Sequence, residues 1–247
     1  MKAYIKIARF DHWFKNIFVI PGFVFALALI PQQNILNTYL WIKLLTGLIA
    51  IGFIASANYT INEYWDSDFD KYHPVKKNRP GVKGQLSFGL VILQYILFAL
   101  FGLIISYFIN IYFLYYNSAL LGMGIIYNVK PIRSKDIVFL DVLSESINNP
   151  IRMLLGWSIV TSTYFPPSSI LVSYWFGGAF LMAIKRYSEY RSIEDKYQAG
   201  KYRKSFKYYN ENNLLISSFF YALNSVFFLG IFLIKYRIEY VLSFPLI

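Results

Sequence analysis

Long runs of hydrophobic residues alternate with short polar segments along this 247-residue chain. A membrane-spanning helix needs about 20 mainly apolar residues. The runs that approach this length are Ile17–Gln33, Trp41–Ile61, Leu86–Ile109, Ile111–Tyr127, Ile137–Val160, Pro166–Ile184 and Leu214–Ile234. No segment between them is long enough for a soluble domain. The pattern therefore predicts an all-α, polytopic transmembrane bundle of about seven spans, with residues 1–247 forming a single domain.

Composition and charge agree with a membrane bundle. Hydrophobic residues make up 57% of the chain and charged residues only 15%, outside the usual balance of soluble proteins. Most of the 24 Lys and Arg residues lie in the N-terminal segment and in alternate loops, as cytoplasmic segments do. We expect an integral protein of the plasma (inner) membrane with a cytoplasmic N-terminus. Its net charge of +11 suits anionic membrane lipids or phosphorylated substrates, and a nucleic-acid partner is not expected.

Polar residues recur every fourth position at the end of the second predicted span. They are Asn58, Asn62, Asp66 and Asp70, and the helical repeat places the last three on one face. Oxygen ligands of this kind suit Mg²⁺, which binds through one or two carboxylates plus substrate phosphates. The alternative is a solvated helix end with ordinary charge pairs, which the position beside a membrane span disfavours. The pattern predicts a site for Mg²⁺ and an active site on the cytoplasmic side.

A set of cations lies on the same predicted side of the membrane. Its members are Lys76, Arg79, Lys185, Arg186 and Arg203. We expect them to bind phosphate oxygens that a metal does not reach, while Glu189 holds a metal or a sugar hydroxyl. The alternative for Lys185 and Glu189, one helical turn apart, is a simple surface ion pair.

Two further polar groups accompany the first and fifth spans. Lys15 and Asn16 precede the first span, where Lys15 either neutralises a lipid phosphate or a leaving diphosphate, or serves as an interfacial anchor. The fifth span contains Asp141, Glu145, Asn148, Asn149 and Arg152. Their spacing of three or four residues predicts one polar stripe. This stripe is either an internal ion pair that fixes packing, or a cavity wall in which Arg152 binds an anion and Pro150 loosens the helix.

These residues resemble the signatures of the UbiA superfamily of intramembrane polyprenyl transferases. The first signature, Asn-Asp-x-x-Asp-x-x-x-Asp, is matched by Asn62, Asp66 and Asp70, with Glu63 in place of its first Asp. Within the superfamily the sequence is most similar to the decaprenyl-phosphate phosphoribosyltransferase branch. The segments that carry this likeness are 13–16, 70–80, 185–189 and 203–205, with weaker support from Arg152 and Gly156.

The chain departs from the superfamily pattern in two places. The second signature pairs two aspartates four residues apart, whereas Ile193 stands four residues after Glu189, so a second full metal site is not expected. Members typically have nine spans, but here only a short apolar tail, Tyr240–Ile247, follows the seventh. The alternatives are a C-terminally truncated chain and a cavity that closes differently.

The resemblance implies a transferase in which Mg²⁺ on Asn62, Asp66 and Asp70 activates a diphosphate leaving group. Its catalytic residues would be Asp66, Asp70 and Glu189, with Glu189 holding a ribose hydroxyl. The leading hypothesis is transfer of phosphoribosyl from phosphoribosyl diphosphate to a polyprenyl phosphate held by Lys15 and Arg152, while Lys76, Arg79, Lys185 and Arg186 bind the donor phosphates.

Two alternatives remain open at this point. A prenyltransferase would use the same metal face to move a polyprenyl group from its diphosphate to an aromatic or other small acceptor. A lipid transporter or lipid-binding protein would explain Asp141, Glu145 and Arg152 as a translocation path. It would leave the spacing from Asn62 to Asp70 unexplained.

Overall fold

The computed structural model describes residues 2–30 and 36–236, and in these ranges the chain is helical and contains no strand. The α-helices are α1 (Lys2–Ala8), α2 (Ile20–Leu29), α3 (Thr38–Asp70), α4 (Phe88–Ile109), α5 (Ile111–Asn128), α6 (Leu140–Ser146), α7 (Asn148–Val160), α8 (Ser168–Ser192), α9 (Lys196–Tyr202) and α10 (Glu211–Tyr236). Short 3₁₀ helices cover Phe10–Val19, Lys76–Asn78, Ser134–Asp136 and Lys204–Lys207. The predicted all-α class is confirmed.

Most of each predicted span is helical where the structure describes it, although the third, fifth and sixth become helical only at Phe88, Leu140 and Ser168. Five helices are long and apolar enough to cross a membrane: Lys2–Leu29, Thr38–Asp70, Phe88–Ile109, Ser168–Ser192 and Glu211–Tyr236. The first begins well before the predicted start at Ile17, because the polar N-terminal cluster is itself helical. The end of the first predicted span at Gln33 and the tail Tyr240–Ile247 lie outside the described residues. The prediction of a polytopic helical membrane bundle is confirmed.

The two remaining predicted spans are shorter or interrupted. Helix α5 has 18 residues and carries a buried Asn117 that donates to Ser106 Oγ at 2.8 Å. The fifth span is broken at Ile147, between α6 and α7. Pro150 lies in the first turn of α7, where its missing N–H has no partner to lose. A proline therefore accompanies the break, although the break itself lies three residues earlier.

Close helix packing holds the centre of the bundle. Helix α3 packs against α4, α5 and α7, and its Ile51 and Ile54 are fully buried in the main apolar cluster. Helices α2 and α7 approach each other at two glycines, because a Cβ on Gly22 would overlap the backbone of Met153 and one on Gly156 that of Val19. Helix α8 packs along α10. This arrangement surrounds the polar end of α3 with the polar ends of α7 and α8.

The segment after α8 folds back over this polar end. Its Tyr202, Phe206 and Tyr209 form a buried aromatic cluster together with Tyr190 at the end of α8. The segment is attached to α6 through Asp141, which accepts hydrogen bonds from Ser205 Oγ at 3.1 Å and Tyr209 Oη at 2.8 Å. We call residues 193–210 the cap. The cap brings Arg203 close to residues of α3, from which it is far removed in sequence.

Candidate active site

A cavity of about 700 Å³ lies between the N-terminal 3₁₀ helix, α3, α5, α7, α8 and the cap. It is lined by eleven of the twelve site residues that the sequence predicts, namely Lys15, Asn62, Asp66, Asp70, Lys76, Arg79, Arg152, Lys185, Arg186, Glu189 and Arg203. The exception is Asn16, which does not line the cavity. It is 3% exposed, and its Nδ2 atom has no hydrogen-bond partner. The tertiary structure therefore brings together side chains from four separate parts of the sequence.

The amide and carboxylates of α3 face this cavity together. Asn62 Nδ2 donates to Asp66 Oδ2 at 3.1 Å and also contacts Asn128 Oδ1. One turn beyond, Asp70 Oδ2 accepts a hydrogen bond from Arg79 Nη1 at 2.6 Å. The spacing of four residues thus places Asn62, Asp66 and Asp70 on one continuous face at the cavity wall.

Two loop cations that the sequence patterns did not single out bind Asp66. Arg133 Nη2 lies 2.9 Å from Asp66 Oδ1, and Lys135 Nζ contacts the same oxygen. Both side chains are at most 5% exposed. Burial lowers the pKa of Lys135 to about 8, although the neighbouring Asp66 carboxylate opposes this shift. The only signal in the sequence was the position of this loop on the same side as Asp66.

The donor atoms on this face fit a magnesium ion that is shared with a substrate. Asp66 and Asp70 supply carboxylate oxygens and Asn62 an amide oxygen, the ligand types that Mg²⁺ prefers. Within residues 2–30 and 36–236, no group of three or more His, Cys, Asp or Glu side chains is placed to hold a metal ion. A metal bound here would therefore complete its coordination with water or substrate phosphate oxygens.

Arg186 lies at the centre of an ion-pair network. Its side chain is 1% exposed, and its Nη1 atom lies 3.0 Å from Glu189 Oε2. The same guanidinium contacts Glu145 and lies 3.4 Å from Asp141 Oδ2. Because these three carboxylates already surround it, Arg186 orders the wall of the cavity and has little capacity left for phosphate. Direct phosphate binding by Arg186 stays a prediction, and it would require Arg186 to give up one of these carboxylates.

Glu189 and Lys185 do not pair with each other, as a simple surface ion pair would require. Glu189 Oε1 accepts a hydrogen bond from Lys76 Nζ at 2.8 Å, and Tyr202 Oη lies 3.4 Å from the same oxygen. Lys185 Nζ lies instead 3.9 Å from Glu145 Oε1. The simple Lys185–Glu189 pair is therefore not formed, and Glu189 links α8 to the loop after α3.

The polar stripe of the fifth span is divided by the break at Ile147. Glu145, Asn148, Asn149 and Arg152 line the cavity, as the cavity-wall hypothesis predicts. Asp141 does not line it, because α6 packs this fully buried carboxylate against the cap and Arg186. The prediction of one shared stripe is wrong for Asp141, which fits the alternative of an internal partner that fixes packing.

Arg152 is the cavity-lining cation with the fewest contacts. Its buried Nε atom has no hydrogen-bond partner, and no ion pair or hydrogen bond of its side chain is found among the described residues. Lys15 lines the same cavity, and its Nζ atom lies 3.4 Å from Nδ1 of its neighbour His12. Unpaired cations beside a membrane are costly, so this part of the cavity is suited to an anion.

The comparisons with known proteins agree with this architecture. The sequence model of the UbiA prenyltransferase family matches residues 18–247. The structure is similar to that of a UbiA homologue from Archaeoglobus fulgidus bound to GPP and Mg²⁺, with a TM-score of 0.77 and 23% identity over 99% of this chain and 82% of that one. The same homologue bound to DMAPP and Mg²⁺ gives a TM-score of 0.76 and 22% identity, with coverages of 99% and 82%. No curated protein matches the sequence.

Proposed function

This chain belongs to the UbiA prenyltransferase family, and from that premise we propose that it is a Mg²⁺-dependent membrane transferase that moves phosphoribosyl from phosphoribosyl diphosphate to a polyprenyl phosphate. The family assignment makes the chain a membrane-bound transferase, so the transporter alternative falls away. The nature of the donor and of the acceptor is our proposal. It rests on the distribution of cations in the cavity.

The observation that carries the proposal is the presence of two cationic regions in one cavity. Lys76, Arg79 and Arg203 accompany the carboxylates of α3 and Glu189. Arg152 and Lys15 lie on other elements, and neither forms a salt bridge among the described residues; Glu145 is the cavity carboxylate that interacts with both at longer range. A diphosphate donor accounts for the first region. A second phosphate, on the lipid acceptor, accounts for the second, whereas a neutral aromatic acceptor leaves Arg152 unused.

Each residue then has a defined role in the transfer. When bound to Asn62, Asp66 and Asp70, Mg²⁺ would supply Lewis-acid stabilisation of the leaving diphosphate. Lys76, Arg79 and Arg203 stabilise the charge that develops as the bond from ribose C1 to the diphosphate oxygen breaks and its electron pair stays on that oxygen. Lys15 and Arg152 orient the lipid phosphate, one oxygen of which forms the new bond to C1. Glu189 holds a ribose hydroxyl.

The second candidate function is transfer of a prenyl group from its diphosphate to a small acceptor. It is favoured by the similar structures that contain GPP or DMAPP together with Mg²⁺. In this alternative the carboxylates of α3 bind the same leaving group. Aromatic residues at the cavity, among them Phe14, Phe18 and Tyr59, stabilise an allylic cation.

The two functions are separated by supplying labelled donors to membranes that contain the full chain and Mg²⁺. We expect label to enter lipid from phosphoribosyl diphosphate when polyprenyl phosphate is present, and not from a labelled polyprenyl diphosphate given with aromatic acceptors. Asp66→Asn should lower the rate by at least about a hundred-fold, because one metal ligand and charge are lost. Asp68→Asn is the matched control, since Asp68 is exposed on the same helix.

Other results of this assay would contradict either the proposed donor or the proposed metal site. Transfer from the prenyl donor alone would replace the proposal by the second function. Full activity of Asp66→Asn, or transfer that persists after magnesium is chelated, would contradict the assignment of the carboxylate face as the metal site.

A further inference from the structure

A second cavity, of about 530 Å³, lies beside the first at the polar end of the bundle. Its lining comes from α1, the loop after α3 and the last turns of α8, and consists of Lys6, His73, Val75, Lys76, Asn78, Arg79, Ser188, Glu189 and Ser192. The exposed residues Lys6, Ser188 and Ser192 line this cavity and not the first. We call it the outer cavity and the first one the inner cavity.

The two cavities share a wall made of three side chains. Lys76, Arg79 and Glu189 line both of them. The wall is held by two ion pairs, Lys76 Nζ to Glu189 Oε1 at 2.8 Å and Arg79 Nη1 to Asp70 Oδ2 at 2.6 Å. A phosphate group that reached Lys76 or Arg79 from either side could exchange places with these carboxylates. The same two cations can therefore be reached from both cavities.

The charges of the outer cavity favour an anion. Its lining contains three cations, Lys6, Lys76 and Arg79, and one carboxylate, Glu189. Both oxygens of Glu189 already form ion pairs, one with Lys76 and the other with Arg186. Lys6 has no ion pair and Ser188 no side-chain hydrogen bond among the described residues. Lys76 is kept at the wall by the turn around His73, whose Nδ1 accepts the backbone N–H groups of Val75 and Lys76 at 3.1 and 3.2 Å.

We infer that the outer cavity binds a diphosphate group on its way between water and the carboxylate face of α3. The inference rests on the proposed function, in which a diphosphate leaves the inner cavity at Lys76 and Arg79. A diphosphate is too strongly hydrated to depart between apolar helices. In this step Lys76 releases Glu189 and binds a phosphate oxygen of the diphosphate instead. Lys6 and Ser188, which line the outer cavity, then bind the diphosphate on its way to water. No covalent bond changes in this step.

The test measures binding of labelled inorganic diphosphate to the purified full chain by equilibrium dialysis. All proteins carry Asp66→Asn, and a chelator removes magnesium, so that metal-dependent binding in the inner cavity is absent. We expect Lys6→Glu to weaken the binding about five-fold, because a reversed charge repels the ligand over a short distance. Lys2→Glu, at an exposed position of the same helix, should leave it unchanged.

Two results would overturn the inference. One is equal diphosphate binding by the Lys6→Glu and Lys2→Glu proteins. The other is equally strong competition by sulfate, which would indicate general anion attraction. Phosphoribosyl diphosphate, used as a second ligand, distinguishes entry of the donor from release of the product. If Lys6→Glu weakens its binding as well, the donor also enters through the outer cavity. If Lys6→Glu weakens only the binding of inorganic diphosphate, the outer cavity serves product release alone. Because no turnover is measured, a failure here is distinct from a failure of the proposed reaction.

Discussion

Glu63 stands beside the carboxylate face of α3 but is turned away from the cavity. It occupies the position of the first Asp in the superfamily signature, and it is 2% exposed. Its Oε2 atom accepts a hydrogen bond from Arg9 Nη2 at 2.7 Å and lies 3.8 Å from Arg79 Nε. Arg9 and Arg79 both line the inner cavity. Glu63 therefore orients Arg9 and Arg79 from the side that faces away from the cavity. The spacing in the sequence did not indicate this role.

Replacement of Glu63 by Gln tests this arrangement. The variant keeps the size of the side chain but leaves Arg9 with a neutral partner, so we expect the free energy of unfolding to fall by about 2 kcal/mol. The apparent melting temperature of the purified chain measures the effect. Glu194→Gln serves as the control at an exposed acidic position. Equal melting temperatures of the two variants would show that the buried pair does not stabilise the fold.

At the scale of elements, the loop between α3 and α4 depends on the protonation state of His73. The imidazole packs edge-on against Tyr202, with ring centroids 4.7 Å apart, and accepts two backbone hydrogen bonds through Nδ1. Burial, helped by the positive charge of Lys76, lowers the pKa of His73 from 6.5 to about 4. The loop is therefore built around a neutral imidazole.

This shift gives the stability of the protein a defined pH dependence. In the unfolded chain His73 takes up a proton as the pH falls through about 6.5, whereas in the folded chain it does so only near pH 4. Its stabilising contribution is thus complete above pH 6.5 and is lost as the pH falls toward 4. We expect His73→Asn, whose side-chain oxygen can accept the same N–H groups, to melt with a smaller pH dependence than the native chain. Identical slopes between pH 7 and 4 would refute this account.

At the scale of the whole molecule, the helix directions place the basic loops at one end of the bundle. The loops after α3, α5 and α8 meet there, as the contacts of Asp66 with Arg133 and of Lys76 with Glu189 require. The segment between α7 and α8 lies at the other end, since the cavity is lined by residues near the start of α7, such as Asn148, and near the end of α8, such as Glu189. The enrichment in Lys and Arg predicts that the first end is cytoplasmic.

The absence of native cysteine makes this orientation simple to measure. Lys77→Cys and Thr163→Cys introduce single thiols at exposed positions on opposite ends. In intact cells a membrane-impermeant maleimide should label Thr163→Cys and spare Lys77→Cys, and labelling of both should follow when the membrane is opened. The reverse pattern in intact cells would show that the N-terminus and the inner cavity face the outside.

The fold class, the approximate helices and the carboxylate face could all be predicted from local patterns in the sequence. Lipid offers no partners for backbone polar groups, so a long apolar run must be helical, and a step of four residues on a helix must share a face. Local spacing did not predict the interruption at Ile147: the spacing from Asp141 to Arg152 indicated one stripe on one helix, but α6 ends and α7 begins within it.

The pairing of charges, by contrast, depends on how the helices pack in three dimensions. Asp66 binds Arg133 and Lys135, Lys76 binds Glu189, and Arg186 is enclosed by carboxylates. These partners are far apart in the sequence, and no local pattern encodes the order in which helices pack. The cap and the wall between the two cavities depend on the same packing. Local periodicity is a property of the backbone, whereas the pairing of distant charges is settled only when the helices and the cap come together around the cavity.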